Sequence, residues 1–128
     1  MTCTDEKTQV FIVEDSVAIQ KQLSGILQRL NGVYVIGIAD NASEAVEGIL
    51  RRRPQYVILD VHLASGSGLD VLRAVHSVAP CITFIVLTNY PQPQYRAKFL
   101  AEGATHFLDK TREFDQVRQI VSKAKAAD

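Results

Sequence analysis

The stretch "YVILDVHLAS", residues 56 to 65, runs four apolar or aromatic side chains straight into a carboxylate, Asp60. Tyr56 to Leu59 show no polar alternation, which predicts a strand covered on both faces, as in parallel sheets. Ionised Asp is almost never fully buried unless it is paired or binds a metal. Something must therefore reward a negative charge at the end of a central strand.

Similar short runs recur on both sides of this one: Val10 to Val13, Val33 to Ala39, Thr83 to Leu87 and, more weakly, His106 to Leu108. Between them the apolar period becomes helical. Ile19, Leu23, Ile26, Leu27 and Leu30 form one stripe, Ala42, Ala45, Val46, Ile49 and Leu50 a second, and Phe114, Val117, Ile120, Val121 and Ala124 a third. Helices near 68 to 78 and 93 to 102 complete the alternation. Asn41 followed by Glu44 reads as a helix start of capping-box type, while Pro54 and Gly103 fall where helices stop. Asn31 and Gly32 would mark a hairpin between alternating strands, but after a helical stripe they predict a helix C-cap. Alternating βα units with two-sided strands predict an α/β doubly wound fold, a five-stranded parallel sheet with five helices. Residues 1–128 read as a single domain with a core of about 8 to 126 and no output domain.

Composition excludes several classes of function. Hydrophobic residues make up 47% and charged residues 22%, and 14 basic residues balance 14 acidic ones. A net charge near zero gives no broad field for direct binding to nucleic acid or to an anionic membrane. The one tight basic run, Arg51 to Arg53, suits a solvated helix C-terminus. Cys3 and Cys81 match no metal or redox spacing, and the N-terminus lacks a basic leader or a long apolar span. The chain reads as cytoplasmic.

In open α/β sheets, ligands bind beyond the carboxyl ends of the strands. Those ends carry Glu14 and Asp15, Asp60, Thr88, then Asp109 and Lys110. Glu14, Asp15 and Asp60 would repel one another unless a cation sits among them, and hard oxygen ligands at an open site suit Mg²⁺ or Mn²⁺. A carboxylate can also take a phosphoryl group as an acyl phosphate. The Lys110 ammonium and the Thr88 hydroxyl can then serve two phosphoryl oxygens.

The stretches "VFIVEDS", "VILDVHL", "FIVLTNY" and "HFLDK" resemble the four signatures of the response-regulator receiver domain of two-component signalling, and the likeness covers essentially the whole chain. It implies a flavodoxin- and CheY-like strand order of 2-1-3-4-5, an order borrowed from the family. It implies a phosphorylation-controlled signalling switch. Asp60 would be the phosphoacceptor, receiving the group from the phosphohistidine of a sensor histidine kinase or phosphotransfer protein. Glu14, Asp15, Asp60 and the His62 backbone carbonyl would hold the metal, and Lys110 would bind the phosphate. Thr88 would be the switch hydroxyl and Phe107 the aromatic that turns inward as Thr88 engages. Such a domain catalyses its own phosphorylation and dephosphorylation and has no external substrate. The fourth helix, fifth strand and fifth helix, with Tyr95 and Phe99, would contact an unidentified downstream protein or a second copy in a homodimer.

Three positions depart from the family pattern. Ala64 stands where many members have proline, which leaves "LASGSG" little restrained. Thr111 follows Lys110 where many members have a cis proline, and a trans bond is expected here. "NYPQPQ" places two prolines in a loop that the family moves. His62 is open to two readings, a tuner of water access or an exposed loop histidine, and Phe107 to ordinary core packing. A phosphate-independent receiver would lack the acceptor, the acid pair or the lysine, and none is missing. An aspartate-nucleophile phosphatase typically has a second Asp where His62 stands, and a cap domain besides.

Overall fold

Strand and helix alternate from β1 (Thr8–Val13) through α1 (Val17–Gln28), β2 (Val33–Ala39), α2 (Ala42–Arg52) and β3 (Tyr56–Leu59) to α3 (Gly68–His76). The series continues with β4 (Thr83–Thr88), α4 (Pro93–Ala101), β5 (His106–Asp109) and α5 (Gln116–Ala126). The computed structural model describes residues 7–89 and 91–126, the side chains of 123–126 excepted. Cys3, Tyr90 of the "NYPQPQ" loop and the Ala124 side chain fall outside that description. All strand pairs are parallel, in the order β2-β1-β3-β4-β5.

Pleating divides each strand between two cores. Val10, Ile12, Ile58, Ile85, Leu87 and Leu108 pack with Leu23 and Leu27 of α1 and with Val117 and Val121 of α5. Their neighbours Phe11, Val13, Val57, Leu59, Phe84, Val86 and Phe107 pack with Ala45, Ile49, Val71, Leu72, Val75 and Phe99 of α2, α3 and α4. Helices covering both faces thus explain the missing polar alternation of β1, β3, β4 and β5, whereas the edge strand β2 is not covered as expected and leaves Tyr34 and Ile38 exposed.

Register sets the carboxyl ends level. Val13 lies opposite Leu59, and Thr88 opposite Asp109. The next backbone bonds continue the ladder: the Glu14 amide donates to Ala39 O at 2.9 Å, Asp60 to Val13 O at 3.0 Å, and Lys110 to Thr88 O at 2.9 Å. Glu14, Asp60 and Lys110 are consequently held at one sheet edge by main-chain bonds, before any side chain contributes.

Helix starts obey local chemistry. Ser16, Asn41 and Ser67 each accept the amide three residues on, from Ile19, Glu44 and Asp70, at 3.3, 3.0 and 3.2 Å. Four boundary expectations need correction. The first helix ends at Gln28 with Arg29 as its cap, so Asn31 and Gly32 (φ +79°) form the turn into β2 and not the cap itself. Phe114 precedes α5, while Thr88 and Asp109 are the last residues of their strands instead of the first beyond them. Among the described residues, no helix is long and apolar enough to cross a membrane.

Two helical glycines differ in what surrounds them. A Cβ on Gly48 would lie 2.8 Å from Phe11 Cζ, whereas one on Gly25 would meet nothing within 4 Å. Gly25→Ala should stabilise the domain by about 0.5–1 kcal/mol through helix propensity. Gly48→Ala should destabilise it by roughly 1–3 kcal/mol, because overpacking outweighs the same gain. Adding Phe11→Leu to Gly48→Ala should recover part of that loss. Urea unfolding midpoints of the four proteins decide the matter; equal effects at both glycines would contradict this packing.

Candidate functional site

Glu14, Asp60 and Lys110 each follow a buried strand and Thr88 ends one, so backbone geometry delivers them to the edge. Asp60 is buried at 7% exposure and Glu14 at 2%, and Lys110 is likewise buried. The Lys110 ammonium stands between the two acids, with Nζ 2.8 Å from Glu14 Oε1 and 3.0 Å from Asp60 Oδ2. Asp60 Oδ1 accepts the Val61 amide at 2.7 Å. Glu14 Oε2 accepts the Ser16 amide at 3.1 Å, while Gln20 Nε2 donates to the Glu14 carbonyl at 2.6 Å.

Asp15 adds a third, exposed acid. One carboxylate oxygen from each of Glu14, Asp15 and Asp60 lies within 4.8 Å of the other two, the one such metal-competent cluster among the described residues. With all three ionised, three negative charges face one ammonium, leaving the edge two charges short of neutral. An acidic, oxygen-only donor set partly open to solvent fits a hard divalent cation.

Thr88 is fully buried at the end of β4, and its carbonyl holds the Lys110 amide. Phe107 lies behind it on β5, buried, with its ring 5.9 Å from Phe99. Arg96 Nη1 of α4 donates to the Phe107 carbonyl at 3.2 Å. His62 forms an isolated antiparallel bridge with Ser67 and sets its ring edge-on to Tyr95, with centroids 6.0 Å apart. Two expectations change here. Phe99 is a core residue, 2% exposed, and is not available on the surface of α4. Asp109 reaches the edge but turns away from the acids, its Oδ1 accepting both Thr111 N–H and Thr111 Oγ1–H. The Lys110–Thr111 bond is trans, as expected. The supports from Val61, Ser16 and Gln20 were missed in the sequence, two of them being backbone amides that carry no residue signature.

Burial pushes the Glu14 carboxyl up, and the charge of Asp60 adds to this, against hydrogen bonds from Lys110 and Ser16. Burial also works against the Lys110 ammonium, but the bonds and charges of Glu14 and Asp60 outweigh it and leave its pKa raised. Lys110 therefore contributes stability that is fully present below 10.5 and is lost as pH rises from there through its raised folded value.

Fold and acidic edge define a flavodoxin-like α/β module with an acidic pocket at the carboxyl ends of its central strands. The chain belongs to the response regulator receiver domain family, whose sequence profile matches residues 10–122. It is 29% identical over 125 residues to the transcriptional regulatory protein YesN of Bacillus subtilis, covering 94% of this chain and 34% of that protein. With YvfU of the same organism it shares 30% identity over 115 residues, covering 90% of this chain and 58% of the relative. The chain thus spans only a third to somewhat over half of these curated relatives. Among solved structures it resembles the CheX-CheY-BeF3-Mg²⁺ complex from Borrelia burgdorferi, with a TM-score of 0.83 and 26% identity over 91% of this chain and 88% of that one.

A raised Glu14 pKa means that the folded state binds this proton more tightly than the unfolded one. With a chelator present, Glu14 should add stability as pH falls from its folded pKa toward 4.5. Burial lowers the pKa of His106, which opposes this trend on acidification. The informative quantity is the difference between wild type and Glu14→Gln in unfolding free energy between about pH 7 and pH 5. Wild type should gain relative to the variant on acidification; parallel curves would contradict the burial of an ionisable Glu14.

Proposed function

We propose that this chain is a phosphorylation-controlled signalling switch in which Asp60 accepts a phosphoryl group from the phosphohistidine of a sensor kinase or phosphotransfer protein. The observation that carries this reading is the Lys110 ammonium bridging Glu14 and Asp60 at 2.8 and 3.0 Å, beside a third acid. A lone capping Asp needs no such company.

An Asp60 oxygen attacks phosphorus as the phosphorus–nitrogen bond of the donor breaks, and the leaving imidazole keeps that electron pair and takes up a proton. Phosphoryl transfer of this kind needs positioning and charge cancellation more than covalent help from the protein. Lys110 supplies the fixed positive charge, its ammonium passing from the carboxylate to a new phosphoryl oxygen. The Thr88 hydroxyl, placed by the end of β4, donates to another. Glu14, Asp15, Asp60 and the His62 carbonyl would hold Mg²⁺ (or Mn²⁺), which when bound supplies a Lewis-acidic charge against the phosphoryl oxygens. The similar complex from Borrelia burgdorferi is one with Mg²⁺, which supports this choice of metal.

Readout follows from the neighbours of Thr88. Phe107 and its carbonyl, which Arg96 holds, connect β5 to α4, so a shift at Thr88 alters the face formed by α4, β5 and α5 for a partner protein. Two conformations within a few kcal/mol suffice for one added phosphoryl group to change their populations.

Intact mass after incubation with acetyl phosphate tests the assignment. Wild type with Mg²⁺ should gain one phosphoryl group, while wild type with chelator and Asp60→Asn with Mg²⁺ should gain none. Labelling of Asp60→Asn to the wild-type extent would move the acceptor elsewhere.

A further inference from the structure

Lys110 must aim a long, flexible side chain inward while its own backbone leaves the sheet to reach α5. The four methylenes of a lysine carry about 2 kcal/mol of rotamer entropy, so an ammonium seated between two acids needs a fixed starting point. The Lys110 amide is held by Thr88 O at 2.9 Å. Beyond it the chain is exposed, with Thr111 and Arg112 open to solvent. Packing does not fix these two exposed residues.

Hydrogen bonds on both sides of Lys110 do. Asp109 Oδ1 accepts the Thr111 amide at 2.9 Å and the Thr111 hydroxyl at 2.6 Å. Glu113 closes the other half: its Oε1 accepts the Asp109 amide at 2.9 Å, while the Asp109 carbonyl accepts the Glu113 amide at 2.7 Å. β5 pairs with β4 alone, so the Asp109 amide lies on the open edge of the sheet, and Glu113 supplies the acceptor that a further strand would have given. The Asp109 carboxyl is held below its ordinary value, first by the Thr111 hydroxyl and then by backbone amides, which agrees with an engaged carboxylate. Four bonds thus close over the residue that carries the ammonium. The hydrogen bonds of Asp109 and Thr111 close within the turn and onto Glu113, and Asp109 lies outside the cluster of Glu14, Asp15 and Asp60.

We infer that Asp109, Thr111 and Glu113 form a positioning turn for the phosphoryl-transfer site, fixing the backbone on either side of Lys110 so that its ammonium meets the oxygens of Asp60. This rests on the reading of Asp60 as phosphoacceptor and adds to it which residues set the transfer rate. The turn acts through Lys110 and has no contact of its own with the transferred group. Removing the Thr111 hydroxyl should therefore slow transfer without weakening cation binding, since the acids are undisturbed.

Phosphorylation rates with acetyl phosphate, measured at saturating Mg²⁺ and as a function of Mg²⁺, test this in wild type, Thr111→Val and Thr111→Ser. Thr111→Val keeps the shape and loses the donor, and the maximal rate should fall about ten- to a hundredfold, the range a displaced catalytic group gives. Its half-saturating Mg²⁺ and its unfolding midpoint should stay near wild type, and Thr111→Ser should restore most of the rate. Glu113→Ala against Glu113→Gln gives the same comparison on the other half of the turn, with the amide variant retaining the acceptor. Wild-type rates in both Thr111→Val and Glu113→Ala, or equal losses in Thr111→Val and Thr111→Ser, would overturn the positioning role. Asp60→Asn serves as the separate control, because labelling that survives there removes the acceptor assignment and not merely the turn.

Discussion

One buried ammonium organises this molecule. Lys110 lies between Glu14 and Asp60, both nearly inaccessible to water, and replaces part of the hydration that these carboxylates lose. Breaking a buried ion pair by deleting one partner typically costs about 3–5 kcal/mol, since a charge is left in a poorly solvated place. The arrangement is also incomplete by design, with three acids around a single cation. That residual negative charge gives the edge its proposed use, a place where a divalent ion and then a phosphoryl group restore the balance.

The sheet makes the arrangement possible at little cost in side-chain order. Residues 14, 60 and 110 each follow the last residue of a strand, and parallel register brings those ends level through main-chain hydrogen bonds. Helices on both faces keep water from the strands themselves, while the carboxyl edge stays partly open at Asp15. The strands supply alignment, and the short turns after them supply the chemistry.

Much of this was readable in the sequence because it depends on local pattern. Apolar runs without alternation announce two-sided strands, and helical stripes between them announce the covering layers, so the α/β class followed directly, with the strand order taken from the family resemblance. Glu14, Asp15, Asp60, Thr88 and Lys110 stood out because a charged or hydroxyl side chain at the end of a buried strand needs a partner there to offset its lost hydration. What depends on which way a side chain turns was not readable. Phe99 looked like a surface aromatic on a polar helix, yet it fills the space beside Phe107, because α4 lies with that side against the sheet. Asp109, named with Lys110 among the strand-end residues expected to carry the chemistry, instead closes its own turn. Asn31 and Gly32 looked like a helix cap because left-handed glycine occurs both there and in an ordinary turn, and only the end of α1 at Gln28 distinguishes the two. The amides of Val61 and Ser16 have no sequence signal at all.

Calorimetric titration with Mg²⁺ tests most directly the claim that this acidic edge is completed by a divalent cation. Wild type should bind one ion per chain, and both Asp15→Asn and Asp60→Asn should bind it markedly more weakly. Absence of binding in wild type, or binding of unchanged affinity in the two variants, would contradict it.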